Sequence, residues 1–112
     1  MKGLYLGEFE ELVMLSVAIL HGEAYGIAVM DEIKQQTGRS STISTVHETL
    51  IRLEKKGFLE SHTGGATNVR GGRKKRFFEV TAYGKKAINE TREQRNRMWQ
   101  QVPKVIWEGG SL

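Results

Sequence analysis

Ser44, Thr45, His47, Glu48 and Arg52 form a compact set of hydroxyl, imidazole, carboxylate and guanidinium groups. On a helix they lie opposite Ile43, Val46, Leu50 and Leu53, whose spacings of three, four and three make an apolar stripe. Polar groups on the outer face of a short helix can hydrogen-bond base edges in a DNA groove. Ser44, Thr45, His47 and Glu48 are thus candidates for reading sequence, and Arg52 and Lys55 for holding phosphates. Five of the seven residues from Arg70 to Arg76 are basic. Beside such a helix, that run points to phosphate contact rather than to a solvated loop. Arg73, Lys74, Lys75 and Arg76 are its candidates, reaching phosphates or the minor groove. Alternation along a strand turns about half of them away from any one partner. Tyr25 can donate its hydroxyl to a phosphate oxygen; the competing role is packing against the helix over 42–56.

The elements that position these residues follow from the pattern around them. A first helix is expected from Glu8 to about Leu20, with Glu8, Glu10 and Glu11 in the first turn, where negative charge suits the helix dipole. Between Leu12 and Leu20 only Ser16 is polar, so this helix must be buried on more than one side. His21-Gly22-Glu23 turns into a second helix from about Ala24 to Thr37, with Ile27, Met30 and Ile33 as its buried stripe and Gly38 as a left-handed cap. Ser41 or Thr42 caps the third helix, and Gly57 ends it. Leu59 to Thr63 and Lys75 to Val80 read as two strands of a long-tipped hairpin, since Phe77, Phe78 and Val80 favour extended chain. Thr81 caps a fourth helix from Ala82 to about Val102, where Pro103 interrupts it, and a further turn is expected over Lys104 to Glu108.

Composition narrows the classes of function. The net charge is +4 and the pI about 9.5, a balance compatible with nucleic acid or anionic lipid as partner. No apolar run approaches the ~18 residues of a membrane span, and no basic-then-apolar leader is apparent. A membrane role is not expected. The chain has no cysteine, which excludes disulfides and thiolate metal sites and fits a reducing cytoplasm. His21, His47 and His62 lack the carboxylate or histidine spacing of a metal site, so no metal and no cofactor are expected. Neither a nucleophile–base grouping nor a phosphate-binding glycine loop is visible, which argues against an enzyme.

Along the fourth helix Ile88, Thr91, Arg95, Met98, Val102 and Val105 recur at nearly 3.5-residue spacing, a weak coiled-coil seam. A small winged domain cannot cover such a helix together with an apolar first helix. Pairing with a second copy is the economical solution.

The chain resembles the PadR family of bacterial transcriptional regulators. The matching residues are Leu6-Gly-Glu-Phe-Glu10, Ala24-Tyr-Gly26, Val46 to Gly57, Gly71-Gly-Arg-Lys-Lys-Arg-Phe-Phe78 and Thr81-Ala-Tyr-Gly84. Each piece is loose, and their order and spacing give the match its specificity. Two positions depart from the family pattern. His47 stands where a tyrosine is common, which bears on a DNA contact. Ala82 stands where Thr-Pro-x-Gly has proline, a neutral change in a helix.

The resemblance implies a mainly α fold with a small two-stranded antiparallel wing: a winged helix-turn-helix over 1–81 and a dimerising C-terminal helix with a frayed tail over 82–112. It implies a homodimeric, sequence-specific regulator of double-stranded DNA, usually a repressor, binding a palindromic operator and often relieved by a small molecule. In some short members the dimer encloses an aromatic-lined pore for flat compounds. By that likeness Trp99 lines an aromatic effector site, with Met98 and Val102 nearby and Val13 and Val17 from the first helix. The competing role of Trp99 is dimer packing. The competing functions are a winged-helix protein–protein module and a multidrug-binding sensor with weak base readout.

Overall fold

The structure is a computed structural model that describes residues 4–64 and 74–108. Helix α1 spans Glu8–Ile19, α2 Gly26–Thr37 and α3 Ile43–Lys55. Strands β1, Leu59–Gly64, and β2, Lys75–Val80, precede α4, Ala82–Gln101, and the short α5, Lys104–Glu108. The fold is mainly helical with one two-stranded antiparallel sheet, which is the winged helix-turn-helix arrangement with a long terminal helix.

Local chemistry sets most of the boundaries. The Gly7 N–H donates to Glu10 Oε1 at 2.8 Å, which closes the first turn of α1. α2 ends on Gly38 at φ +76°, a left-handed conformation that glycine adopts without steric cost. Thr42 Oγ1 accepts from the Thr45 N–H at 3.0 Å and so caps α3. Thr81 Oγ1 accepts from the Gly84 N–H at 2.9 Å and donates to the Gly57 carbonyl at 2.7 Å, capping α4 and tying it to the end of α3.

The core is built from Val13, Met14 and Val17 of α1, Val29 and Ile33 of α2, and Val46, Leu50 and Leu53 of α3, closed by Phe58, Leu59, Phe78 and Ala87. The wing is joined to the body by the Phe78 N–H, which donates to the Ala24 carbonyl at 2.9 Å. In the wing Leu59 pairs with Val80, Ser61 with Phe78 and His62 with Phe77. α4 starts against the residue that precedes β1, because Gly84 lies so close to the Phe58 carbonyl that an added Cβ would collide with its oxygen.

Three expectations are corrected. α2 begins at Gly26 rather than Ala24, since Ala24 is buried in the preceding turn with its carbonyl committed to β2. Its buried stripe is Val29 and Ile33 with Met30 partly covered, while Ile27 points outward. Ile43 does not join the inner face of α3: it is 43% exposed. Ile43 is the first residue of α3, and the buried face of the helix begins only at Val46 and continues through Thr49, Leu50 and Leu53.

From Arg92 onward every residue of α4 is exposed, as are Leu15, Ala18 and Ile19 of α1. The seam is mixed: Thr91 is buried within the chain, Arg95 pairs with Glu11 at 2.8 Å, and Met98 and Val105 are open.

Candidate nucleic-acid interface

α3 is amphipathic because its inner residues Val46, Thr49, Leu50 and Leu53 recur at helical spacing and are buried. Its outer side carries Ile43, Ser44, His47, Glu48, Ile51, Arg52 and Lys55 along one open groove. Five of the sequence-derived candidates, Ser44, His47, Glu48, Arg52 and Lys55, are therefore brought together. Thr45 is exposed but lies outside that groove, and its hydroxyl accepts from Thr42 Oγ1 at 3.0 Å, inside the N-cap.

Arg52 is partly committed. Its Nε donates to Glu10 Oε2 at 3.1 Å, and Lys56 Nζ donates to the same oxygen at 2.9 Å. Burial pushes the Glu10 carboxyl up, but hydrogen bonds from Lys56, the Gly7 N–H and Arg52 outweigh it and hold the group below its ordinary value. Glu10 therefore anchors the cationic end of α3 to α1. Neither Glu10 nor Lys56 was evident as a site residue in the sequence, because the pairs join positions 42 and 46 residues apart.

The wing divides its cations between two faces. Lys75, Phe77 and His62 share one face, where Lys75 Nζ sits 4.1 Å from the centre of the Tyr25 ring. Phe77 meets the same ring edge-on at 5.8 Å. Tyr25 thus packs against β2 rather than against α3 and holds Lys75 by a cation–π contact. Arg76 lies on the other face. Its Nη2 meets Glu54 Oε1 at 2.8 Å and its Nε donates to Ser61 Oγ at 3.0 Å, so its charge is matched within the chain. Lys74, just before β2, is exposed. Arg73 lies outside the described residues.

The expected aromatic site is rearranged. Val13 and Val17 are 0% and 2% exposed in the chain's own core and cannot face Trp99. The two positions lie on the inner side of α1, and Leu15, turned the other way, shares a cleft of about 260 Å³ with Trp99, Ile88 and Arg95. Met98 opens instead into a separate groove with Tyr5 and Leu6. Val102 is half-buried at the end of α4. Trp107 of α5 stacks on Trp99 with ring centres 5.5 Å apart and planes 20° apart, while both remain more than half exposed. Among the described residues there is no cluster of three or more His, Cys, Asp or Glu able to hold a metal ion, and no helix long and apolar enough to cross a membrane.

The comparisons agree with this geometry. The profile of the transcriptional regulator PadR-like family matches residues 14–90. No curated protein matches the chain. Among solved structures, the chain is similar to a PadR-like transcription factor from Bacteroides fragilis at TM-score 0.69 and 18% identity, covering 87% of this chain and 88% of that one. A PadR family regulator from Eggerthella lenta matches at TM-score 0.66 and 25% identity, over 88% and 86% of the two chains. Bacillus subtilis PadR, solved in complex with operator DNA, matches at TM-score 0.59 and 19% identity, over 74% of this chain and 45% of that one. The first and last of these likenesses are of fold alone. Members of the matched family regulate transcription rather than catalyse reactions, and a profile match over most of the chain, on the winged scaffold described above, decides its kinship: this protein belongs to the PadR-like family of transcriptional regulators.

Proposed function

We propose that this chain is a homodimeric repressor that binds a palindromic operator through α3 and the wing. The observation that carries the reading is the outer face of α3, where Ser44, His47, Glu48, Arg52 and Lys55 share one open groove while the opposite face is sealed in the core. That presentation suits insertion into the major groove, with Lys74 and Lys75 on flanking phosphates. The operator complex of the Bacillus subtilis relative supports it by analogy of fold.

In this reading residues 1–81 bind DNA and residues 82–112 join the subunits in the cytoplasm. The support for a dimer is apolar surface left open on one protomer: Leu15 and Ile19 of α1, Met98 and Trp99 of α4, Val105 and Ile106 of α5. A 20-residue helix is about 30 Å long, more than one small winged domain can cover. Two-fold symmetry would then set the two α3 helices about 34–36 Å apart, one turn of duplex. A planar aromatic effector would stack on Trp99 in place of Trp107 and shift the spacing of the two helices, since a ligand acts only by binding two states unequally.

Selection from random duplexes at about 150 mM salt tests the reading. An enriched inverted repeat is the expected result. No enrichment, with only weak salt-sensitive binding, would reject it in favour of a winged module that does not read bases.

A further inference from the structure

Ile43 is the first residue of α3, and it is open to solvent although the helix has a well-formed core face. Its position is defined from one side. A Cβ at residue 26 would sit 3.2 Å from Ile43 Cδ1 and 4.0 Å from His47 Nδ1, so the glycine at the start of α2 lets both side chains lie close over it. Ile43 is thus propped by α2 below and bare above, and it lines the same groove as Ser44 and His47. Its β-branched side chain is stiff about χ1, so little rotamer freedom remains to be lost on binding. The far end of that groove carries Arg52 and Lys55.

We propose that Ile43 is a specificity-determining residue that reads the C5 methyl group of a thymine in each half-site. The inference rests on the assignment of α3 as the reading helix. The first turn of such a helix is the part that reaches base edges, and the thymine methyl is the apolar feature that the major groove offers. Cations at one end of the strip match phosphates bordering that base, and the hydrogen-bonding neighbours Ser44 and His47 match adjacent edges. A hydrophobic protein segment would leave these polar groups unpaired, so duplex DNA is the occupant that satisfies the whole strip.

The test uses two randomised duplex libraries, one containing thymidine and one with deoxyuridine throughout in its place. Each is selected against the full-length protein and against Ile43→Ala. The wild type should enrich a motif with thymine at one fixed position per half-site. Replacing that thymine by uracil should weaken binding about fourfold per half-site, the worth of one buried methyl group. Ile43→Ala should bind the two forms equally, and Ile43→Val should retain part of the difference. Identical wild-type affinity for the two forms at every thymine overturns the inference while leaving α3 as the reader. A thymine preference that persists in Ile43→Ala does the same. Failure of the wild type to enrich any motif from the thymidine library overturns the reading helix itself. Ile43 is outside the core, and a thermal melt of each variant establishes folding.

Discussion

Glu10 Oε2 and Arg52 Nε meet at 3.1 Å, joining the helix that packs beneath α4 to the outer face of the helix that carries the DNA-reading candidates. Glu11, the next residue, meets Arg95 of α4 at 2.8 Å. α1 is therefore tied to the candidate reading head on one side and to the terminal helix on the other through adjacent carboxylates.

Glu10→Gln should lower stability by about 1–3 kcal/mol at neutral pH, the range for leaving charged partners without their acceptor. The folded carboxyl sits below its ordinary value, so its contribution is fully present above the unfolded pKa and is lost as pH falls through the folded one. The difference in melting temperature between wild type and Glu10→Gln should therefore be present at pH 7 and shrink on acidification below about pH 4. A gap that stays constant down to pH 3 would contradict the assigned hydrogen bonds.

The two faces of the wing should respond differently to mutation. Lys74→Ala with Lys75→Ala should weaken binding to all duplexes and flatten the dependence of log affinity on log salt by about 0.9 for each phosphate no longer neutralised. Arg76→Ala should leave that slope nearly unchanged and lower stability instead, because Glu54 already neutralises Arg76. Salt titrations of the variants decide the matter, and an equal flattening in Arg76→Ala would show that the ion pair opens on DNA.

Gly84→Ala isolates a packing constraint. In an ordinary helix the change would stabilise by about 1 kcal/mol. Here the new methyl would strike the Phe58 carbonyl, and backbone cannot yield as a side-chain tip can. A net loss of about 1–3 kcal/mol is expected in urea denaturation, the usual cost of forced overpacking. Unchanged or increased stability would mean that α4 shifts away from Phe58 at little cost.

Trp107 covers one face of Trp99, so it competes for any planar ligand that stacks there. Trp107→Ala should let planar aromatic compounds quench the remaining tryptophan at lower concentration than in the wild type. Absence of quenching in both proteins across a varied panel would assign the pair to packing alone.

Much of this architecture was legible in the chain. Gly38, Thr42, Gly57 and Thr81 mark helix ends by backbone chemistry that acts within a few residues, and each does so in the structure. The stripe of Val46, Leu50 and Leu53 identified the buried side of α3 because helical periodicity is a local property. Tertiary packing decided the rest. Whether Ile27 and Ile43 face in or out depends on how α2 and α3 cross, which periodicity alone does not specify. Val13 and Val17 turned into the core while Leu15 turned out, because an almost wholly apolar helix carries no phase signal of its own. Arg52 and Arg76 drew carboxylates from other elements, Glu10 and Glu54, and only the folded chain brings charges so distant in sequence within ion-pair reach.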